Sequence, residues 1–459
     1  MRPIQLLLFL VALLLPGCTS SVPRTGGARA EAVGFEGALA NRFVRADGGG
    51  SVVARLSIAA HAAEDGHRPP VNLALVVDTS GSMEGAPIAD ATAAAQSMVD
   101  GLTNGDRIAI VVFHSTTEVL VPSTELDAGA RREIKAKLAA MKAVGTTDMA
   151  SGLSAGLDEV LKNLDPKGIN RVVLLGDGVP NDEGPIRGLA QRAASRGVTI
   201  TTLGLGPDYN EVVMGAVAQL SGGRFHYVET SSEVARYFQN EVLRLSDVHA
   251  KNASLELVAG PGVRIETVVG QPADNQGTRA RITIGDLSRD DVKNLVVKLH
   301  VDARRDGAAV ELLDGVLRYD DPAGGPPVER RVFLGAHATS SEVQLETGRD
   351  KGVEDAAAMV EAAAATLGAL EKARNGQVGE AQKQLEGAAA AAERQSTVTH
   401  NERLADRARA LRALSNDLPS PTPAAPAAAP GAAPPKAPMP QPAAQVRLRK
   451  AHDQAVNEL

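Results

Sequence analysis

The chain is poor in aromatic residues and in cysteine, and both shortages exclude functions. Aromatic side chains make up 2% of its 459 residues, and there is no tryptophan. Flat rings on which bases or sugars could stack are therefore scarce. The formal net charge of −7 provides no broad basic face, so we expect no nucleic-acid partner. With a single cysteine, the chain can form no internal disulfide.

Motifs for phosphate binding and for zinc catalysis are also missing. The chain has no Gly-x-x-x-x-Gly-Lys loop, and its nine histidines show neither His-Glu-x-x-His nor another paired spacing. His114 ends a predicted strand, where a structural role is favoured over a role in a site. The pattern Gly152-Leu153-Ser154-Ala155-Gly156 matches a nucleophile elbow, which requires a strand before the serine. Here Ser154 falls inside a predicted helix, so close packing of small residues is favoured over catalysis.

The start of the chain indicates export. Met1-Arg2 is followed by an apolar run, Ile4 to Leu15, that is too short for a comfortable membrane span. The next residues, Pro16-Gly17-Cys18, resemble the end of a bacterial lipoprotein signal, although Pro16 is a small departure from it. The resemblance implies cleavage before Cys18, lipidation of that cysteine and a place in the bacterial cell envelope. A plain secretory signal is the alternative. By the same resemblance, Thr19 rather than Asp after the cysteine favours the outer membrane.

Composition divides the rest of the chain into segments. A run of apolar strands alternating with helices predicts an α/β domain with a parallel sheet, short strands between turns predict a β-sandwich-like domain, and Ala, Glu and Lys predict helices. The predicted segments are a signal peptide over 1–17, a tether over 18–30, an N-terminal β segment over 31–70, the α/β domain over 71–245, the β-sandwich-like domain over 246–345, a helical segment over 350–417, a Pro/Ala-rich disordered linker over 418–444 and a tail over 445–459.

Three details of this division stay open. The N-terminal strands could complete the sandwich, with the α/β domain inserted in a loop. Within the helical segment, residues 376–381 resemble the turn of a helical-hairpin repeat, but one copy makes no array, and a small bundle is favoured. In the tail, Arg447-Leu448-Arg449-Lys450 is interpreted as a solvated basic cluster rather than a binding site.

Polar side chains with oxygen atoms follow the strands of the α/β domain. Asp78-Thr79-Ser80-Gly81-Ser82 comes directly after the buried strand predicted at Asn72–Val77. A carboxylate and two hydroxyls without a thiol suit a hard divalent cation such as Mg²⁺. Two later loops, Gly145-Thr146-Thr147-Asp148 and Gly176-Asp177-Gly178, should end at the same edge of the sheet, where ligands of open parallel sheets bind.

These three loops, in this order, resemble those of a von Willebrand factor type A (vWA) domain. The resemblance implies a Rossmann-like, doubly wound, mostly parallel sheet with a metal-ion-dependent adhesion site (MIDAS) at its top. By the same resemblance the metal is held by Asp78, Ser80, Ser82, Thr147 and Asp177. The metal expected there is Mg²⁺, with Mn²⁺ or Ca²⁺ as alternatives. Its open sixth position implies a partner protein that supplies an Asp or Glu carboxylate.

Two positions depart from the family pattern. Thr146 stands where a second glycine is usual, and Gly176 stands where Thr or Ser is common. Neither position is a main ligand, so the five-residue set is complete. A vWA scaffold that does not use its metal remains the alternative interpretation of the site.

The predicted function is therefore adhesion rather than catalysis. We expect a lipid-anchored cell-envelope protein, not an enzyme, that binds a protein partner through a metal-ion-dependent site. The alternative is a scaffold for envelope assembly, in which the metal is only structural and the C-terminal helical part recruits partners. A hydrolase that uses Ser154 or the metal is the remote third possibility.

Overall fold

The computed structural model describes residues 32–47, 49–61, 68–177, 179, 182–206, 209–419 and 442–459. The predicted signal peptide, Cys18 and the tether lie outside these ranges, as does most of the Pro/Ala-rich linker. Across the described ranges, none of the helices combines the length and the apolar character that crossing a bilayer requires.

Strands and helices occupy most of the described chain. The strands are β1 Val33–Leu39, β2 Phe43–Arg45, β3 Gly50–Ala60, β4 Val71–Asp78, β5 Arg107–Phe113, β6 Thr117–Glu125, β7 Ile169–Gly176, β8 Thr199–Leu205, β9 Phe225–Val228, β10 Val248–Ala259, β11 Val263–Val268, β12 Ala273–Asn275, β13 Arg279–Ser288, β14 Val292–Val301, β15 Ala309–Asp320 and β16 Val328–Thr339. The helices are α1 Ala86–Gly101, α2 Ala128–Leu138, α3 Met149–Lys162, α4 Gly184–Ser195, α5 Glu211–Ser221, α6 Val234–Leu245, α7 Glu342–Thr347, α8 Lys351–Arg374, α9 Val378–Thr399, α10 Glu402–Asp417 and α11 Pro442–Glu458.

A six-stranded sheet in the order β6-β5-β4-β7-β8-β9 forms the α/β part. All neighbouring strands are parallel except β6, which pairs antiparallel with β5 at one edge. Every residue of β4, β7 and β8 is buried, because helices cover both faces and leave no polar side for alternation. The predicted doubly wound, mostly parallel α/β fold is therefore confirmed.

Two mostly antiparallel sheets, in one of which β2 pairs parallel with β16, form a second core beside the α/β part. Their orders are β1-β3-β14-β11 and β12-β13-β10-β15-β16-β2. In β3 the buried positions alternate, as expected for a strand with one face on the core. Because β3 pairs with β14 along its length, with Ala59 opposite Val292, strands from both sides of the α/β part share one sheet. The α/β part thus lies between β3 and β10 in the sequence.

Buried ion pairs join the two parts. The guanidinium of Arg171, on β7, contacts Glu241 of α6 and lies 3.0 Å from the carboxylate of Asp286, on β13. Side-chain exposure is 6% for Arg171 and 3% for Glu241. Burial opposes ionisation of Glu241, but the Arg171 charge holds the pKa of that carboxyl below its usual value. The Arg171–Glu241 pair lies within the α/β part, and the pair with Asp286 joins it to the second core.

The C-terminal helices complete the molecule. Helices α8, α9 and α10 pack in succession, while α11 packs against α8, α10, α5 and β9. The structure differs here from the sequence interpretation. Residues 442–444 belong to α11 rather than to the linker, and Arg449 is only 13% exposed because it is paired with Glu211. The tail is thus a docked helix, and its basic cluster is not simply solvated.

Candidate metal centre

The first loop of the site begins where β4 ends. Asp78 is fully buried, and its Oδ1 accepts a hydrogen bond of 2.8 Å from the Ser80 backbone N–H. Burial raises the pKa of the Asp78 carboxyl to about 6, against the lowering effect of its hydrogen bonds with Ser80, and the nearby Asp177 charge raises it further. The end of β4 thus holds the Asp78 carboxylate in a buried position, where water does not solvate its charge.

Hydrogen bonds connect the first loop with the third. The hydroxyl oxygens of Ser80 and Ser82 lie 3.0 Å apart, and Ser82 Oγ donates to Asp177 Oδ1 over 2.8 Å. The two loops meet because β4 and β7 are adjacent and parallel, with Val77 opposite Leu175. Four of the five residues predicted as ligands, Asp78, Ser80, Ser82 and Asp177, therefore form one connected cluster.

The fifth predicted residue, Thr147, lies in the second loop and is 8% exposed. Among the described residues its hydroxyl makes no hydrogen bond to the other four. Its loop is nevertheless tied to the first loop, since Gly81 N–H donates to Gly145 O over 3.0 Å and Val144 N–H donates to Thr79 O over 2.7 Å. Thr147 is thus held at the same edge of the sheet.

Gly145 is required by the shape of the second loop. Its φ is +73°, and a Cβ added there would come within 2.6 Å of Ser115 Oγ. Thr146 follows this glycine, so the departure from a second glycine falls one residue beyond the strained position. The one glycine that the loop geometry needs is present.

The donor set fits a hard cation. Asp78 Oδ2 is buried and has no hydrogen-bond partner among the described residues, so it is an acceptor without a donor. The described residues contain no group of three or more His, Cys, Asp or Glu side chains placed to hold a metal ion, and the candidate ligands are hydroxyls and two carboxylates. This chemistry suits Mg²⁺, Mn²⁺ or Ca²⁺ better than Zn²⁺.

Gly176 leaves space beside that oxygen. A Cβ at this position would lie 3.6 Å from Asp78 Oδ2 and 3.4 Å from Met149 Cε, both ordinary contacts. A Ser or Thr would therefore fit and would bring a hydroxyl close to the carboxylate. With glycine in its place, Asp78 Oδ2 is left as a free acceptor.

The Gly-x-Ser-x-Gly pattern and His114 are the two other features considered from the sequence. Ser154 lies within α3, not at a turn between a strand and a helix, so it is not on a nucleophile elbow. Added Cβ atoms on Gly152 and Gly156 would lie 2.6 Å from the Phe113 ring and 2.3 Å from Val76 Cγ2, which confirms that small residues allow close packing there. The Nδ1 atom of His114 accepts from Thr116 N–H over 3.3 Å, within the turn that follows β5.

One contact close to the site was not predicted from the sequence. The Asn210 side chain caps α5 by accepting from Val213 N–H over 3.2 Å, and it also donates to the Glu183 carboxylate. Glu183 precedes α4, the helix that follows Asp177. An Asn directly before a predicted helix is a capping signal, but nothing in the local sequence indicates its second partner.

Comparison with known proteins agrees with this geometry. The family model of the von Willebrand factor type A domain matches residues 72–241. Among solved structures, the von Willebrand factor type A protein from Catenulispora acidiphila superposes with a TM-score of 0.67 at 20% identity, covering 83% of this chain and 89% of that one. The ArnB paralog VWA2 from Sulfolobus acidocaldarius gives 0.59 at 17% identity, covering 93% and 99%. These likenesses concern the fold.

Two bacterial proteins are similar in sequence. The uncharacterized protein sll0103 of Synechocystis sp. is 31% identical over 284 residues, which is 59% of this chain and 66% of that protein. The uncharacterized protein YfbK of Escherichia coli is 29% identical over 201 residues, 42% of this chain and 34% of that protein. The chain thus spans about two thirds of one relative and about a third of the other. Together with the sheet order and the three loops, the family match shows that residues 72–241 of this chain are a von Willebrand factor type A domain.

Proposed function

We propose that the chain is a lipid-anchored cell-envelope protein whose vWA domain binds a protein partner through a divalent cation. Domains of this family generally mediate protein–protein interaction, and they commonly bind a divalent metal at the MIDAS. The residues proposed to hold the cation, Mg²⁺ in the first place, are Asp78, Ser80, Ser82, Thr147 and Asp177.

One observation carries the proposal. The connected hydroxyls of Ser80 and Ser82 end on Asp177, while the buried Oδ2 of Asp78 has no hydrogen-bond partner among the described residues. A buried carboxylate oxygen without a partner is costly, and a bound cation removes that cost. A structural role alone would be served better by a hydroxyl at position 176.

The candidate ligands differ in charge. Ser80, Ser82 and Thr147 contribute neutral oxygens, so only the two aspartates reduce the charge of a divalent ion. When bound, the cation would supply a Lewis-acid position for a carboxylate from the partner. Ser82, which is exposed, places the cluster within reach of solvent and of a docking protein, while the buried Asp78 fixes the cluster to the end of β4.

The anchoring part rests on the sequence around Cys18. Mass spectrometry of the protein purified from membranes should find the chain beginning at Cys18 and carrying acyl groups. In a Cys18→Ala variant the acyl mass should be lost and the protein should leave the membrane fraction. A mature chain that begins elsewhere and carries no lipid would contradict this part.

A capture experiment tests partner binding. The full chain is used as bait on native envelope extracts, with Mg²⁺ or with EDTA, and is compared with Asp78→Ala. The matched control is Asp182→Ala, since Asp182 lies in the same loop as Asp177 but accepts a hydrogen bond from Gly184 N–H. We expect partners that are recovered by wild type and by the control with Mg²⁺, and that are lost with EDTA or Asp78→Ala. Partners retained in all four conditions would overturn the proposal and favour the scaffold alternative.

A further inference from the structure

Helix α11 (Pro442–Glu458) and the following Leu459 are together called the strap. The strap covers the edge of the central sheet that β9 forms. Its Asp453 carboxylate accepts from Tyr227 N–H over 3.1 Å, and its Asn457 amide donates to Phe225 O over 3.0 Å. Residues four apart share one face of a helix. The two side chains thus satisfy outward backbone groups of the edge strand β9, which would otherwise be open to another strand.

The groove under the strap is shaped to accept it. His452 is 3% exposed and stands edge-on to the Phe225 ring at 5.0 Å. On α5, a Cβ added to Gly215 would lie 2.6 Å from His452 Cε1, so glycine there makes room for the imidazole. Ala455 and Leu459 are also buried. These contacts indicate a specific docking site for this helix.

One strap residue reaches the loop beside the metal centre. The guanidinium of Arg449 contacts the carboxylate of Glu211 and lies 4.9 Å above the ring of Tyr209. Arg374 of α8 holds the same carboxylate at 2.8 Å. Glu211 is the first residue of α5, and Tyr209 is fully buried. The strap therefore contacts Tyr209 and Glu211, which lead into α5 at the carboxyl end of the sheet.

That connection is bonded to the third metal loop. Asn210, between Tyr209 and Glu211, donates to the carboxylate of Glu183. Glu183 closes the segment that starts at Asp177 and leads into α4. Since β7 and β8 are adjacent and parallel, with Gly176 opposite Gly204, the two loops are neighbours. The contacts thus run from Arg449 through Glu211 and its neighbour Asn210 to Glu183, six residues after Asp177 in the sequence.

A further strap contact lies at the surface. Arg447 lies 2.6 Å from Asp417 at the end of α10, and 56% of the Arg447 side chain is exposed.

We propose that the strap regulates the metal site: when docked, it holds the third metal loop in its binding arrangement, and when it is released, the affinity for the cation falls. The inference rests on the proposed metal binding. Its physical basis is ordering, because a loop already fixed by Arg449 and Asn210 loses less conformational freedom when it binds a cation. Such coupling is reciprocal, so the cation must also stabilise the docked strap.

The test uses the full chain and measures the effect of the strap on cation affinity and the effect of the cation on the strap. Mn²⁺ affinity is measured by calorimetry for wild type, for Arg449→Ala, for the double variant Asp453→Ala/Asn457→Ala, and for the control Arg447→Ala, whose ion pair is exposed. We expect the first two variants to bind Mn²⁺ at least about fivefold more weakly and the control to bind like wild type. Amide hydrogen exchange of residues 446–458 in wild type should slow when Mn²⁺ is added.

The outcomes separate this inference from the function on which it rests. If wild type binds no Mn²⁺, the proposed metal site is wrong. If wild type binds Mn²⁺ but both strap variants keep the same affinity and exchange in the strap is unchanged, the regulation is wrong while the metal site stands. The double variant keeps the test valid if Arg449→Ala fails to fold.

Discussion

Helix α3 lies so close to the central sheet that a single methyl group should disturb it. A Cβ on Gly156 would come 2.3 Å from Val76 Cγ2, which is about 1 Å inside the 3.4 Å where ordinary contact begins. Val76 is fully buried on the central strand β4, so it has no free space into which to move. We therefore expect Gly156→Ala to force α3 away from the sheet.

The size of the effect follows from two opposing terms. Overpacking of a core costs up to about 3 kcal/mol, and the short contact with a β-branched residue places this case at the upper end. Alanine in a helix gains about 1 kcal/mol over glycine. The net expectation is a loss of about 2 kcal/mol in the free energy of unfolding.

Urea unfolding followed by circular dichroism measures this loss. The matched control is Gly188→Ala on α4, where an added Cβ meets nothing within 4 Å, so only the helical gain of up to about 1 kcal/mol should appear. If Gly156→Ala proved as stable as wild type, the packing account of the Gly-x-Ser-x-Gly pattern would be refuted.

Two further predictions concern buried charges. Arg171→Met should lower the free energy of unfolding by about 3 kcal/mol or more in the same assay, because it leaves two buried carboxylates without their cation. The control Arg192→Met removes an exposed ion pair and should cost under about 1 kcal/mol. Equal losses for the two variants would contradict this. Burial lowers the pKa of His452 to about 3, so docking of the strap should weaken as the pH falls below about 6.5, by up to about 2 kcal/mol at pH 5. Burial raises the pKa of Asp453 to about 6, so the docked strap takes up a proton there more readily than the released strap. Protonation of Asp453 therefore favours docking as the pH falls and opposes the loss caused by His452. Asp453→Asn should therefore make strap hydrogen exchange, corrected for intrinsic rates, more sensitive to acid than in wild type, and an identical pH dependence would contradict this.

The central sheet could be predicted because its strands carry a local signal. The apolar runs of β4 and β5 lack alternation, and strands covered on both faces have that pattern. The loops that follow β4 and β7 carry the polar residues, and parallel pairing brings them together. Sequence therefore placed Ser80, Ser82 and Asp177 at one edge, and the structure joins them by hydrogen bonds.

The strap could not be predicted because its burial depends on residues far away in the sequence. The basic run from Arg447 to Lys450 looks the same whether it is solvated or paired. Its environment is set by Glu211 and by the space at Gly215, more than 200 residues earlier. The partner of Asn210 was missed for a similar reason, since its capping role is local but Glu183 belongs to another loop.

Binding of a cation by the five-residue set is the claim on which the functional account rests. Titration of the full wild-type chain with Mn²⁺, followed by calorimetry, tests it most directly, with Asp78→Ala and the loop control Asp182→Ala beside it. The account predicts one cation bound per wild-type chain, unchanged binding by Asp182→Ala and none by Asp78→Ala. A wild-type chain that binds no cation, or an Asp78→Ala variant that binds it equally well, would contradict the account.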